Sequence, residues 1–523
     1  MKYSWVQSIR QALPGLLERQ QRQHPKSNMS STPGPLPAIA PSGETTPTQT
    51  LTTKSSLSSF EKKEKSDQVI VTTAAVSEDG LDDIDGGWEG YMDTELPDKM
   101  ERKFFRNMRH QVMNIYRRLF SLVFLVNLGV LIDAGVRGTN TPHVGKIVIA
   151  NIFTAILIRE EHIVNGLFYI FTFPTFLPLW ARVTLARVYS LGGIHSGSAV
   201  AGLMWFIYFT VLATQDLRHH DHASAALIAV TYVILVFLCT IIGLAMPAWR
   251  RIHHNKFEMV HRFLGWTVTA LVWALVILLT NDYKDPSIPL HVALRKSAPF
   301  WLVVVLTMSI ASSWVHLRKV KITTEVLSSH ALRVHYEYSG AIPGTFSRVS
   351  YSPLTEWHSF ATISVPGQKG FDHIISRVGD WTTRTIQNPP SEIWIRGVPT
   401  AGIMNVVPLF KRVVVVATGS GIAPCAPHVY ANKTKIKLLW TSRNIRKTYG
   451  DKFVDSIMTA APDAIIYDTD AHGKPDMIKL IHHVYKEFDA EAVCIISNQP
   501  LTQKVVYGLM SRGVPAFGAV WDS

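Results

Sequence analysis

The spacing of apolar and polar residues changes character several times along the chain. Residues 1–100 are poor in large apolar side chains, whereas 118–316 is dominated by them. The apolar runs lie at about 118–136, 144–164, 188–213, 224–247, 257–280 and 297–316. Each is near the ~20 residues that a helix needs to cross a hydrocarbon core, so a bundle of six spans is expected. The second run is interrupted by Arg159-Glu160-Glu161-His162, expected at the inner interface, with 166–180 lying along that interface. From about 321 to 405 the pattern is short and alternating, as in L-R-V-H-Y-E-Y and F-S-R-V-S-Y, which predicts a small antiparallel β-barrel. From 411 onward strands alternate with helical stretches. The strands are expected at 413–417, 437–441, 464–467 and 492–497, making an open α/β sheet that binds ligands beyond its strand ends.

Charge and cysteine content narrow the classes. The net charge is +13, but most basic residues of the middle third flank apolar runs, as topology signals do, and nucleic acid is not expected as a partner. Arg102, Lys103, Arg106, Arg109, Arg117 and Arg118 precede the first run, and Arg318, Lys319 and Lys321 follow the last. This asymmetry predicts an integral membrane protein with both termini in the cytosol; the plasma membrane is the expected location, which the asymmetry itself does not select. The three cysteines, Cys239, Cys425 and Cys494, have no CxxC or zinc spacing, so neither a disulfide framework nor a structural metal is expected. The first residues do not read as a signal peptide. Residues 27–60 are rich in Ser, Thr and Pro and the acidic patch E-D-G-L-D-D-I-D-G-G-W-E-G follows, so 1–100 is expected to be a disordered, solvated tail.

Candidate chemistry sits in two places. The segment V-V-V-V-A-T-G-S-G-I-A-P runs from a buried parallel strand into a glycine turn and a helix. Gly419 and Gly421 allow a backbone to approach a pyrophosphate, and the helix start offers N–H groups to an anion; the same turn also serves structure alone. In the apolar region, His195 and His261 lie several residues into runs of the same direction, each about 7–11 Å from the inner end at ~1.5 Å per residue. Two neutral imidazoles at one depth suit axial haem ligation, or one can bond a carbonyl while the other meets the interface. The H-H-D-H loop at 219–222 reads as a solvated turn.

Six spans, barrel and nucleotide fold in this order resemble the ferric reductase and NADPH oxidase superfamily, and within it the fungal TmpA-type transmembrane flavoproteins. The resemblance covers roughly 100–523. The flavin motif is matched loosely by His358-Ser359-Phe360-Ala361 with Thr362 next, and intact by Gly379-Asp380-Trp381-Thr382 after Arg377. A second flavin motif is degraded to Arg396-Gly397-Val398-Pro399-Thr400, which leaves Gly397 as a contact. The nicotinamide-nucleotide turn resembles Thr418, Gly419, Ser420, Gly421, Ile422, Ala423 and Pro424, and Arg443 after the next strand would meet the ribose or a 2′-phosphate. The resemblance divides the chain into a tail (1–100), a transmembrane domain (101–317), an FAD-binding barrel (318–409) and an NAD(P)-binding domain (410–523). Two departures limit it. The second histidine of a two-haem plan is replaced by Tyr208/Phe209 and Ala274/Leu275, so at most one haem fits. The thiol motif near the nicotinamide is replaced by Ser497-Asn498-Gln499-Pro500. Trp521 is expected either against the flavin or packed at the terminus.

The expected function is therefore a membrane flavoprotein oxidoreductase, passing electrons from NAD(P)H through FAD to a haem on His195 and His261 or to an unknown acceptor. The alternative is a redox-sensing membrane protein with a signalling partner and little turnover. A third reading, a transporter lined by Arg159, Glu160, Glu161 and His162, lacks the internal repeats that such folds usually show.

Overall fold

A computed structural model describes residues 86–337 and 340–519. The helical half contains α1 (Ile115–Arg137), α2 (Thr141–Leu157), α3 (Glu161–Thr172), α4 (Gly192–Arg218), α5 (Ala225–Ala245), α6 (His254–Tyr283) and α7 (Ala298–Val315). Several begin with a side-chain cap: Asn114, Asn140 and Ser224 each accept a backbone N–H of the first turn. Among the described residues five helices are long and apolar enough to cross a membrane, or six if the bent pair α2–α3 counts as one.

That pair departs from the expected single run over 144–164. The helix stops after Leu157, turns by 74° and restarts at Glu161, with the Glu160 carboxylate capping the Ile163 N–H at 2.9 Å. At the restart, Glu161 turns away from the bundle to pair with Arg348 and Arg396. α4 is the central helix, and its glycines let α1 approach: a Cβ on Gly193 would lie 2.1 Å from the Tyr116 carbonyl oxygen. Polar groups inside the bundle satisfy one another. The Asn127 side-chain oxygen accepts from Asn151 and from the Trp205 indole, both at 3.0 Å.

The strand half begins with two antiparallel sheets. One has the order β1 (Leu317–Lys321), β7 (Glu392–Arg396), β4 (Thr345–Ser350), β5 (His358–Ala361), with β8 (Thr400–Ala401) also on β4. The other is β2 (Thr323–Val326), β3 (Ala331–Tyr336), β6 (Phe371–Ser376), and a bridge from Ile363 to Asp372 links the two. α8 (Asp380–Gln387) follows β6.

The last unit is a five-stranded parallel sheet ordered β11 (Ile465–Asp468), β10 (Lys435–Ser442), β9 (Arg412–Thr418), β12 (Ala492–Ile496), β13 (Ala516–Gly518). Val413 to Val416 are fully buried because helices cover both faces, α9 (Ile422–Ala431) and α10 (Asp451–Ala460) on one, α11 (Met477–Glu487) and α12 (Gln499–Met510) on the other.

The expectation of a solvated tail through residue 100 is corrected for 86–100. Tyr91 is buried in the same apolar cluster as Val414 and Leu480, and Trp88 packs on Tyr467 with ring centroids 5.1 Å apart. Backbone and side chains then tie the segment down: Met100 N–H donates to Ser511 O at 2.7 Å and Lys479 Nζ to Met92 O at 2.8 Å. Aromatic burial outweighs the acidic composition here. The remainder of the tail, 1–85, lies outside the described residues, as does Trp521.

Candidate functional site

The parallel sheet reverses its order beside β9. From β9 the chain proceeds to β10 and β11 on one side, then crosses back to β12 and β13 on the other. Loops after β9 and β12 therefore leave in opposite directions and open a crevice at the strand ends. Thr418, the last residue of β9, and Ser497, just after β12, share a hydrogen bond of 2.6 Å between their hydroxyls at that point. Gly419 takes φ +53°, a left-handed conformation suited to glycine, and faces open space apart from the Tyr449 hydroxyl. Gly421 is required for a different reason. A Cβ there would meet the Ile496 carbonyl oxygen at 2.4 Å, so only glycine lets the turn close onto β12. Ile422 and Ala423 are buried beneath it, Ser420 is half-buried, and Pro424 reaches the wall of a neighbouring cavity.

Arg443 stays exposed at the end of β10, 3.6 Å from Asp470, where it is free to meet a ligand from solvent. Burial pushes Cys494 up to about 12 and raises Cys425 as well, so both thiols stay protonated and unreactive near neutrality. His428, inside α9, is pulled down to about 4 by burial and is neutral.

The residues expected to cradle a flavin instead close on each other. His358 stacks on Trp381 with centroids 4.2 Å apart, and Phe360 stacks on the same indole at 5.8 Å. Trp381 is buried, and its Nε1–H donates to Glu356 at 3.0 Å. Thr362 is fully buried and spends its hydroxyl on Thr345. The Thr382 hydroxyl accepts the N–H groups of Val378 and Gly379, so it caps α8. Gly397 N–H donates to His316 O at 2.9 Å. Arg377, Gly379, Asp380 and Ser359 are exposed and Ala361 is half-buried. The three aromatic rings thus pack on one another, with Trp381 buried and His358 and Phe360 half-buried.

His195 and His261 do approach each other, with ring centroids 6.3 Å apart, and His195 Nδ1 lies 2.7 Å from the Ala155 carbonyl oxygen.

A polar junction carried by no sequence motif lies where the helices meet the antiparallel sheets. Glu161 is buried and accepts from Arg348 on β4 at 2.5 Å and from Arg396 on β7 at 2.9 Å. Burial lowers Arg396 to about 10 and lowers Arg348, and Glu161 opposes both shifts. Asn165 adds a two-way clamp, donating to Pro399 O at 3.0 Å and accepting from Ala401 N–H at 2.7 Å. Buried Arg182 grips both oxygens of Glu491 at 2.7 and 2.8 Å, and that hydrogen bond holds Glu491 below the usual carboxylate range. The one available signal was the charged cluster inside an apolar run.

Between these elements lies a cavity of about 390 Å³. Its wall runs from Arg159 and Arg348, past Phe168, Phe346 and Met404, to Pro424 and Ile496 at the glycine turn.

Comparison with known proteins redirects the reading. Residues 403–523 match the family model described as Adenylate-forming reductase 03009, C-terminal domain. Over 438 residues the chain is 51% identical to adenylate-forming reductase 03009 of Coprinopsis cinerea, covering 83% of this chain and 43% of that protein. Over 440 residues it is 50% identical to adenylate-forming reductase 06235 of the same fungus, again 83% of this chain and 43% of that protein. The chain thus spans less than half the length of these relatives. A ferredoxin NADP+ reductase from Neisseria gonorrhoeae, solved with bound FAD and NADP, is 15% identical with a TM-score of 0.33, covering 39% of this chain and 98% of that one. A likeness that low carries no argument. The two fungal relatives and the family model overturn the resemblance to TmpA-type proteins and to the ferric reductase and NADPH oxidase superfamily. With it fall the membrane flavoprotein function, its regulatory variant, and the FAD and haem cofactors.

Proposed function

We propose that this chain is the reducing portion of a protein of the adenylate-forming reductase kind, and that it takes a nicotinamide dinucleotide in the crevice between β9 and β12. The names of the relatives join two steps, adenylate formation and reduction, and this chain matches 43% of their length. The reduction step suits this portion because its parallel sheet has a switch point, the feature at which such sheets bind nucleotides. The observation that carries the reading is the glycine turn there, closed so tightly that Gly421 has no room for a Cβ beside Ile496.

When bound, the dinucleotide supplies a hydride to an electrophilic carbonyl carbon. The chain's own groups do the rest. The 419–424 backbone approaches the pyrophosphate, and the following helix start favours its negative charge. Thr418 and Ser497 share one hydrogen bond at the crevice, so the hydroxyl that accepts it keeps its own proton to donate to the oxygen on which charge develops. Arg443 is placed to meet a 2′-phosphate from solvent.

The test is a titration of the purified chain with NADPH and NADH, followed by nucleotide fluorescence. We expect saturable binding, and a loss of about tenfold or more in Gly421→Ala, because the added methyl must push β9 and β12 apart. Absence of binding, or equal affinity in Gly421→Ala, would reject the assignment.

We also propose that lipid surrounds the helical half. Leu122, Leu125, Val126, Val130 and Ile132 of α1 are all largely exposed, an unusually large apolar face for water.

A further inference from the structure

A second cavity, of about 450 Å³, lies on the other side of Arg159, where the inner ends of α6 and α7 meet β5 and β7. Trp266 and Trp314 form one wall, edge to face at 5.6 Å, and the hydroxyl-bearing Ser313 and Ser359 also line it. The charges around it do not balance among themselves. Arg348 and Arg396 share the single carboxylate of Glu161, and Arg262 pairs with Glu258. Glu160 is committed to the Ile163 N–H and to the Ser312 hydroxyl at 3.1 Å. Arg159 has neither a hydrogen bond nor an ion pair from its guanidinium among the described residues. Arg396 Nε is likewise buried without a partner.

We propose that this cavity binds a phosphate group, with Arg159 and Arg396 as its principal donors. Arg396 Nε is buried without a partner, which is costly, and Arg159, though exposed, brings a guanidinium with no partner of its own to the same cavity; an oxyanion is the ligand whose acceptor geometry meets both. Arg159 comes from the break between two helices and Arg396 from a strand, so their donors reach the cavity from separate directions. A tetrahedral phosphate can meet such non-coplanar forks, whereas a flat carboxylate is suited to one. The serine hydroxyls and the indole walls would hold the rest of the ligand. The phosphate can come from a lipid headgroup, entering between α6 and α7, or from a free phosphate compound. The site does not depend on the nucleotide reading: it shares Arg159 and Arg348 with the first cavity, but no residue of the glycine turn lines it.

The experiment uses the whole purified chain in a neutral, phosphate-free detergent, with heats of binding measured for three probes. These are inorganic phosphate, dioctanoyl phosphatidic acid, and dioctanoyl glycerol as the uncharged control. At least one phosphate probe should bind well above the glycerol control. Binding of phosphatidic acid alone assigns the lipid source, and competition by inorganic phosphate assigns the free one. Arg159→Gln should weaken that binding by about tenfold or more, the loss of a charge-assisted contact, while Arg159→Lys stays within about threefold. NADPH binding should be unchanged in both variants. The proposal fails if no phosphate probe exceeds the control on the unaltered chain, a comparison that needs no variant to fold. It also fails if a well-folded Arg159→Gln binds as before.

Discussion

The helical and strand halves solve burial in opposite ways. In the parallel sheet the apolar side chains are inside: Val413 to Val416, Leu438, Leu439, Val493 and Ile495 are fully buried. In the bundle, α1 turns Leu122, Leu125 and Val126 outward, while Asn127 and Asn151 point in and pair. A sheet buried on both faces is stabilised by water's exclusion from its own core. The outer face of the bundle gains nothing in that way unless a further apolar medium covers it. The halves also differ in how their polar contacts are made. The nucleotide crevice is shaped by backbone and glycine, whereas the junction between the halves is shaped by paired charges.

The largest effect is expected from removing the carboxylate that joins the two halves. Glu161→Gln leaves Arg348 and Arg396 facing a neutral group in a buried site. Breaking one partner of a buried pair costs roughly 3–5 kcal/mol, because the remaining charges stay uncompensated. We expect a large drop in the unfolding midpoint by denaturant titration. A change under about 1 kcal/mol would mean that water, not Glu161, solvates the two arginines.

A smaller effect separates the two surfaces. Lysine at Leu125 should cost about 2.5–3.5 kcal/mol if α1 sits in lipid, the usual magnitude for a cation in a spanning helix. Lysine at Val378, the 88%-exposed residue before α8, should change stability by less than about 0.5 kcal/mol. Folding yield into vesicles of the two variants is the measurement. Equal yields would mean that α1 meets water.

The parts visible in the sequence are those governed by short-range rules. The four valines and the glycines that follow declared a strand, a turn and a helix, and β9 runs from Arg412 to Thr418 beside the expected 413–417. What stayed hidden depends on contacts distant along the chain. Arg348 lies 187 residues from Glu161, so no local pattern could mark the two as partners. The same holds for Trp88 and Tyr91, whose neighbours acidic composition concealed until Tyr467 and Val414 surrounded them. His358 and Trp381 fitted a cofactor motif by type and spacing, yet they stack on one another. Motif matching reports residue identity and order. It does not report whether the space between the residues is already filled.

Between pH 7 and pH 5 a more modest effect is expected in the strand half. His373 on β6 is fully buried, with Nε2 2.8 Å from the Ser347 hydroxyl and Nδ1 3.1 Å from the Tyr336 hydroxyl. Burial pulls it down to about 3, against about 6.5 in an unfolded chain. Between those values the unfolded state binds a proton that the folded sheet refuses. Stability is therefore full above about pH 6.5 and falls on acidification, by about 1.4 kcal/mol per pH unit, until the folded-state value is reached. Hydrogen exchange of the β6 amides at pH 7 and pH 5, corrected for intrinsic rates, should show protection lost at the lower pH. In His373→Gln the same correction should leave β6 nearly insensitive to pH, while strand β9, whose buried valines carry no titrating group, behaves alike in both proteins. If β6 in the unaltered protein is as protected at pH 5 as at pH 7, the imidazole takes up its proton within the folded core, and that core is wetter than its burial indicates.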